Sequence, residues 1–152
     1  MSSSLWAIYL RDGSVYVPTM SRTEACFMAI DPVEVAFVTD TEAVRRAIKT
    51  VIERGNPVVP TPARNAYPKP VVLKYAKVRS WSAFEKTALN WTIVVKDGIY
   101  QIKPGRRRPD RGWEDDPEKI EIMPPGAALE TVIERATALV QTAFKVRKAS
   151  LP

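Results

Sequence analysis

The chain contains no histidine. That absence removes the commonest general base, proton shuttle and nitrogen ligand for zinc at once. Cysteine occurs only once, as Cys26. An internal disulfide is therefore excluded, and so is a zinc centre of the usual nitrogen and sulfur donors. Neither a Ser–His nor a Cys–His nucleophile pair can be assembled. No apolar run approaches the ~20 residues that a membrane helix needs. Met1-Ser2-Ser3-Ser4 lacks the basic and apolar regions of a secretory signal. These absences lead to the expectation of a cytoplasmic protein in a reducing compartment, with no cofactor, no metal and no enzymatic activity. Any catalysis would have to come from carboxylates, lysines or tyrosines.

What is present is ordinary in amount and uneven in placement. A length of 152 residues suits one domain over 1–152, and 45% hydrophobic with 26% charged residues excludes wholesale disorder. The net charge is +6. Residues 1–60 contribute −1, residues 61–112 contribute +9, and residues 113–152 contribute −2. The middle third alone is basic, which points to an anionic partner without naming one.

Hydrophobic periodicity organises the rest. Leu5–Leu10 and Ser14–Val17 flank Asp12-Gly13, a pair suited to the two positive-φ positions of a type I′ turn, so a β-hairpin is expected. Trp6, Ile8 and Leu10 fall on one face, and Pro18 is expected to make the end of the second strand a sheet edge or an exit from the sheet. Two further strands, 25–30 and 33–38, are expected on either side of Asp31-Pro32. Cys26 would then be a small buried hydrophobe. A helix is predicted over 41–54, capped by Asp40 or Thr39 and stopped at Gly55, with Val44, Ala47, Ile48, Val51 and Ile52 as its apolar stripe. Five prolines in 56–70 exclude a helix there and predict a surface connection.

Residues 71–76 are compatible with either strand or helix. Ser80 is placed to cap a short helix carrying Trp81, Phe84 and Ala88 on one face. A second hairpin follows, with Trp91, Ile93 and Val95 alternating before Asp97-Gly98 and the return at 99–102. After a short strand at 119–123, a long helix is predicted over 127–146. Its stripe is Leu129, Val132, Ile133, Ala136, Leu139, Val140, Ala143 and Phe144. The expected fold is α+β: an antiparallel sheet built from β-hairpins with helices packed on it, in a single domain.

The segment 103–118 reads as a polar loop and is the most singular feature. Arg106, Arg107, Arg108 and Arg111 offer planar forks for phosphate or carboxylate. Asp110, Glu114, Asp115 and Asp116 supply the opposite charge. Trp113 is either an apolar anchor for a partner or a residue tucked into the core. Asp115-Asp116 has no companion oxygen ligands at metal-binding spacing. Trp6, Tyr9, Tyr16, Trp91 and Tyr100 lie on strands, as the stacking platforms of nucleic-acid-binding sheets do, although packing accounts for them more simply.

From Pro70 to residue 143 the order of features resembles a known family. Val78-Arg79-Ser80-Trp81-Ser82-Ala83-Phe84 precedes a hairpin running Thr92, Asp97-Gly98, Ile102-Lys103-Pro104. Gly112-Trp113-Glu114, Pro117-Glu118-Lys119, Pro124 and a helix with Leu129, Val132 and Ala136 follow. This arrangement resembles the CdiI family, the immunity proteins of bacterial contact-dependent growth inhibition. The resemblance implies a small non-enzymatic α+β domain that binds the C-terminal toxin domain of a cognate CdiA effector, taken to be a nuclease, in the cytoplasm. The candidate toxin-binding residues are Arg106, Arg107, Arg108, Asp110, Arg111, Trp113, Glu114, Asp115 and Asp116. The alternative is a single-stranded nucleic-acid-binding domain, which the basic middle third and the strand aromatics would serve.

Overall fold

Two Asp-Gly turns set up the sheet. The structure, a computed structural model, describes residues 3–150; Met1, Ser2, Leu151 and Pro152 lie outside it. Strands β1 (Ser3–Arg11) and β2 (Ser14–Arg22) are joined through Asp12 and Gly13, at φ 51° and 80°. Strands β4 (Leu89–Lys96) and β5 (Ile99–Arg107) are joined through Asp97 and Gly98, at φ 53° and 77°. Both central residues of each turn have positive φ, the geometry that Asp-Gly accepts and that matches the twist of paired strands. The hairpins join along β1 and β4, which pair over eight residues from Ser3↔Lys96 to Leu10↔Leu89. With β3 (Phe27–Phe37) outside β2, and β6 (Trp113–Asp115) and β7 (Glu121–Ile122) along β5, the antiparallel order is β3-β2-β1-β4-β5-β6, β7 also pairing with β5.

Two expectations change in β2 and β3. Pro18 does not end β2; the strand continues to Arg22 in the sheet interior. Asp31-Pro32 does not separate two strands, because β3 runs unbroken past it. The register explains both: Pro18 pairs with Val33, whereas Thr19 pairs with Ile30, so Asp31 and Pro32 are extra residues at a bulge. A bulge is where a strand accommodates a residue lacking an N–H donor. Cys26 is exposed, in a turn preceding β3 where Thr23 Oγ1 accepts from Cys26 N at 2.9 Å. The local turn chemistry of Thr23 overrides the apolar run on which the buried assignment rested.

Helix α1 (Thr41–Arg54) has the expected bounds, with Asp40 accepting from Ala43 N at 3.1 Å and Gly55 as C-cap. Helix α4 (Leu129–Ala149) lies alongside it. Their stripes meet Trp6, Ile8, Leu10, Val15, Val17, Trp91, Ile93 and Ile102 in one large core. The opposite face carries two short helices, α2 (Val72–Ala76) and α3 (Trp81–Thr87), the latter capped by Ser80. Its smaller core contains Tyr16, Val33, Val72, Leu73, Phe84 and Ala88. The ambiguous 71–76 stretch thus resolves as helix, and 56–70 is the mostly exposed connection expected. No helix among the described residues is long and apolar enough to cross a membrane.

Candidate functional site

The segment read as a polar loop is a second-generation hairpin. β5 continues through Arg107 and β6 returns beside it, with Gly105↔Asp115, Arg106↔Glu114 and Arg107↔Trp113 as partners. The loop reading failed because charged residues and a proline mask the strand period. Pro104 lies at the end of the ladder to β4, and its carbonyl accepts from Asp116 N at 2.9 Å. Gly112, at φ 75°, helps form the turn, and its carbonyl accepts from Arg108 N at 3.0 Å. Gly105 has another task. A Cβ there would lie 2.8 Å from Asn90 Oδ1, 3.3 Å from the Asn90 carbonyl and 3.3 Å from Trp113 Cβ, so any larger residue would have to displace the Asn90 side chain and crowd both neighbouring strands.

Trp113 fixes the hairpin to the sheet. Its ring lies 5.8 Å from Tyr9 and 5.7 Å from Trp81, and Trp81 stacks on Phe84 at 5.1 Å. Burial pushes the Tyr9 hydroxyl up to about 12. Offset and edge-on aromatic pairs of this kind each contribute roughly 0.5–1.5 kcal/mol beyond burial. Trp113 is therefore a packing residue with part of its ring exposed.

Glu85 is the member that sequence reasoning missed. It sits on α3 with only 4% of its surface exposed. One carboxylate oxygen accepts from Gly112 N at 3.0 Å, and the other lies 3.7 Å from Arg107. Arg107 also donates to the Glu85 carbonyl at 2.5 Å, with its guanidinium 5.8 Å from the Trp113 ring. A buried carboxylate requires this pairing, since an unpartnered one would be costly. The available signal was weak: one acidic residue beside a buried phenylalanine in a segment otherwise rich in basic residues.

The nine candidate residues all lie in this one hairpin and the strand end after it, but they do not share one role. Arg107 and Trp113 tie it down. Arg106 faces Glu114 at 3.6 Å, Arg108 faces Asp110 at 3.3 Å, and Lys103 faces Asp115 at 3.6 Å. Backbone N–H groups of Arg111 and Asp110 itself, together with Arg108, hold the Asp110 carboxyl below its ordinary value. Asp116 is largely covered and lies 4.0 Å from Lys119. Arg111 is exposed and makes no ion pair among the described residues. The arginine run is thus largely balanced where it stands, a poor match to a uniformly negative phosphate backbone. The strand aromatics are likewise committed: Trp6 and Trp91 to one core, Tyr16 to the other, Tyr9 and Tyr100 to packing against them. Among the described residues no group of three or more acidic or cysteine side chains could hold a metal.

The hairpin presents a mixed-charge surface tied to the sheet through Arg107, Glu85 and Trp113. Neither a family model nor a curated protein matches the chain. Solved structures do. A Neisseria meningitidis protein of unknown function is similar with TM-score 0.63 and 12% identity, over 93% of this chain and 95% of that one. A chain of the CdiA-CT/CdiI toxin and immunity complex from Yersinia pseudotuberculosis is similar with TM-score 0.59 and 14% identity, over 93% of this chain and 98% of that one. At such identities the likeness establishes a shared fold, an α+β domain with helices on an antiparallel sheet.

Proposed function

We propose that this chain is an immunity protein that binds and neutralises the C-terminal toxin domain of a cognate CdiA effector. The observation that carries the reading is the end-to-end likeness of fold to a chain of a CdiA-CT/CdiI toxin and immunity complex. The sequence features between Pro70 and residue 143 support the same assignment. The reaction chemistry is that of stoichiometric inhibition: a complex of roughly 1,200–2,000 Å² whose few desolvated anchors keep an enzyme toxin inactive.

The hairpin suits the contact. It is held in one shape by Arg107, Glu85 and Trp113, so little ordering remains to oppose association. Its outward residues Arg106, Arg108, Asp110, Arg111, Glu114 and Asp115 carry three charges of each sign, a mixture that favours a complementary protein surface over mismatched ones.

The test is growth protection. The C-terminal domain of the effector encoded immediately upstream is expressed with and without this chain. Protection together with a stoichiometric complex on size exclusion is the expected result. Replacing Arg106, Arg108 and Arg111 by serine should slow association several-fold. A toxin domain that kills equally in the presence of the wild-type chain would sink the reading.

A further inference from the structure

A second basic locus lies away from the hairpin, at the end of the sheet where the β1–β2 turn meets the C-terminal ends of α3 and α4. A pocket of about 440 Å³ opens there, floored by Leu10, Gly13 and Phe144 and bordered by Lys86, Arg147 and Lys148. Thr87 organises its edge. The Thr87 hydroxyl accepts from Arg11 Nε at 2.9 Å, and the Thr87 carbonyl accepts from Arg147 Nη1 at 2.6 Å. Two guanidiniums from opposite ends of the chain are thereby pinned by one residue. Lys148 lies over the Phe144 ring at 5.8 Å.

Among the described residues the charge does not cancel. Asp12 is the carboxylate at the pocket, and it pairs with Arg11 at 3.2 Å. Lys86, Arg147 and Lys148 make no ion pair among the described residues. Two helix C-termini also point here, each equivalent to about half a negative charge at most. They offset roughly one of the three surplus cations, leaving about two. A phosphate monoester carries about −1.5 to −2 at neutral pH and offers three acceptor oxygens to convergent N–H donors. A single carboxylate would leave the cations under-compensated. The half-buried Phe144 ring gives the floor an apolar surface for an organic body beside the anion, and the volume falls in the range of small-ligand sites.

We infer that this pocket binds a phosphate monoester of mononucleotide size, its phosphate held by Arg147, Lys86 and Lys148 and its body lying on Phe144. The inference is independent of toxin neutralisation, because it uses no residue of the hairpin.

The experiment is a titration of the full-length, isotope-labelled protein followed by backbone amide shifts, with AMP, adenosine and inorganic phosphate as probes. AMP should move the amides of Gly13, Thr87, Phe144 and Arg147 and saturate below the millimolar range. Adenosine should leave them in place, and inorganic phosphate should bind about tenfold more weakly than AMP, losing the apolar contact. The double variant Lys86→Gln/Lys148→Gln changes only exposed side chains and should keep its melting temperature while binding AMP about tenfold more weakly. The inference is overturned by any of four results. These are no saturation with AMP, equal binding of adenosine, unchanged AMP affinity in the double variant, or tighter binding at the same amides by a decathymidylate lacking a terminal phosphate. The last would assign the cations to a nucleic-acid backbone.

Discussion

The two faces of the sheet are built by different means. On one, α1 and α4 lay long aliphatic stripes over Ile8, Leu10, Val15 and Ile93, each helix supplying a continuous apolar face. On the other, α2 and α3 are too short to cover the sheet alone. That face closes by bringing Tyr9 and Tyr16 from the first hairpin, Trp81 and Phe84 from α3, and Trp113 from β6 into one aromatic cluster. The first face is thus closed by two long helices, and the second by single side chains drawn from four separate elements. The second is also the face to which the candidate binding hairpin is anchored.

The largest test of this contrast is removal of α4. A chain ending at residue 125 exposes the Trp6, Ile8 and Ile93 face and should be insoluble or molten, as read by solubility and near-ultraviolet dichroism. A soluble 1–125 fragment with cooperative unfolding would show that the long-helix face does not depend on α4.

Next comes Phe84, fully buried at the centre of the aromatic cluster. Phe84→Ala should cost about 3–5 kcal/mol in chemical denaturation. Because Trp81 and Trp113 lean on that ring or its neighbours, hydrogen exchange should quicken in β6 before it does in α1. Uniform quickening in both would erase the distinction between the faces.

Two Glu–Arg pairs, Glu85–Arg107 and Glu121–Arg135, should also behave differently. Glu85→Ala removes the acceptor for Gly112 N and the partner of Arg107, and should cost about 1–3 kcal/mol. Glu85→Gln keeps an acceptor for Gly112 N and should recover part of the loss. The smallest effect belongs to Glu121, which accepts from Arg135 at 2.7 and 2.8 Å and so joins β7 to α4. The hydrogen bond from Arg135 holds the Glu121 carboxyl below its ordinary 4.5. Its contribution is therefore present above that value and is lost as pH falls through the lower folded value. Being a half-exposed pair, screened by solvent, it should amount to roughly 0.2–1 kcal/mol. Glu121→Gln should flatten the acid limb of the stability curve by that amount, and an unchanged acid limb would count the pair as inert.

The same contrast explains what could be read in advance. The Asp12-Gly13 and Asp97-Gly98 turns, the α1 stripe with its Asp40 cap and the α4 stripe are local signals, legible within a window of one element. The buried Glu85 and the packing role of Trp113 depend on partners tens of residues away, whereas β6 pairs with nearby β5 and was hidden by the charged residues and proline that mask its period. Pro18 misled for a related reason: a proline signals a strand end unless the opposite strand supplies a bulge, and Asp31 and Pro32 supply it from outside the window. The candidate site was legible as a segment, since its nine residues lie together, but the division into anchoring and outward-facing residues was not.

The bulge has a consequence for the solubility of this sheet. β3 is an outer strand, and it exposes Phe37 at 74% and Val35 at 49%. A long flat rim with such side chains would invite pairing with strands of other molecules. The interruption divides the ladder into four pairs over 27–30 and five over 33–37, and Pro32 brings no N–H to the break. An incoming strand would find two short, misaligned templates in place of one continuous one. Two residues that looked like the end of a strand thus serve as a guard against runaway self-association.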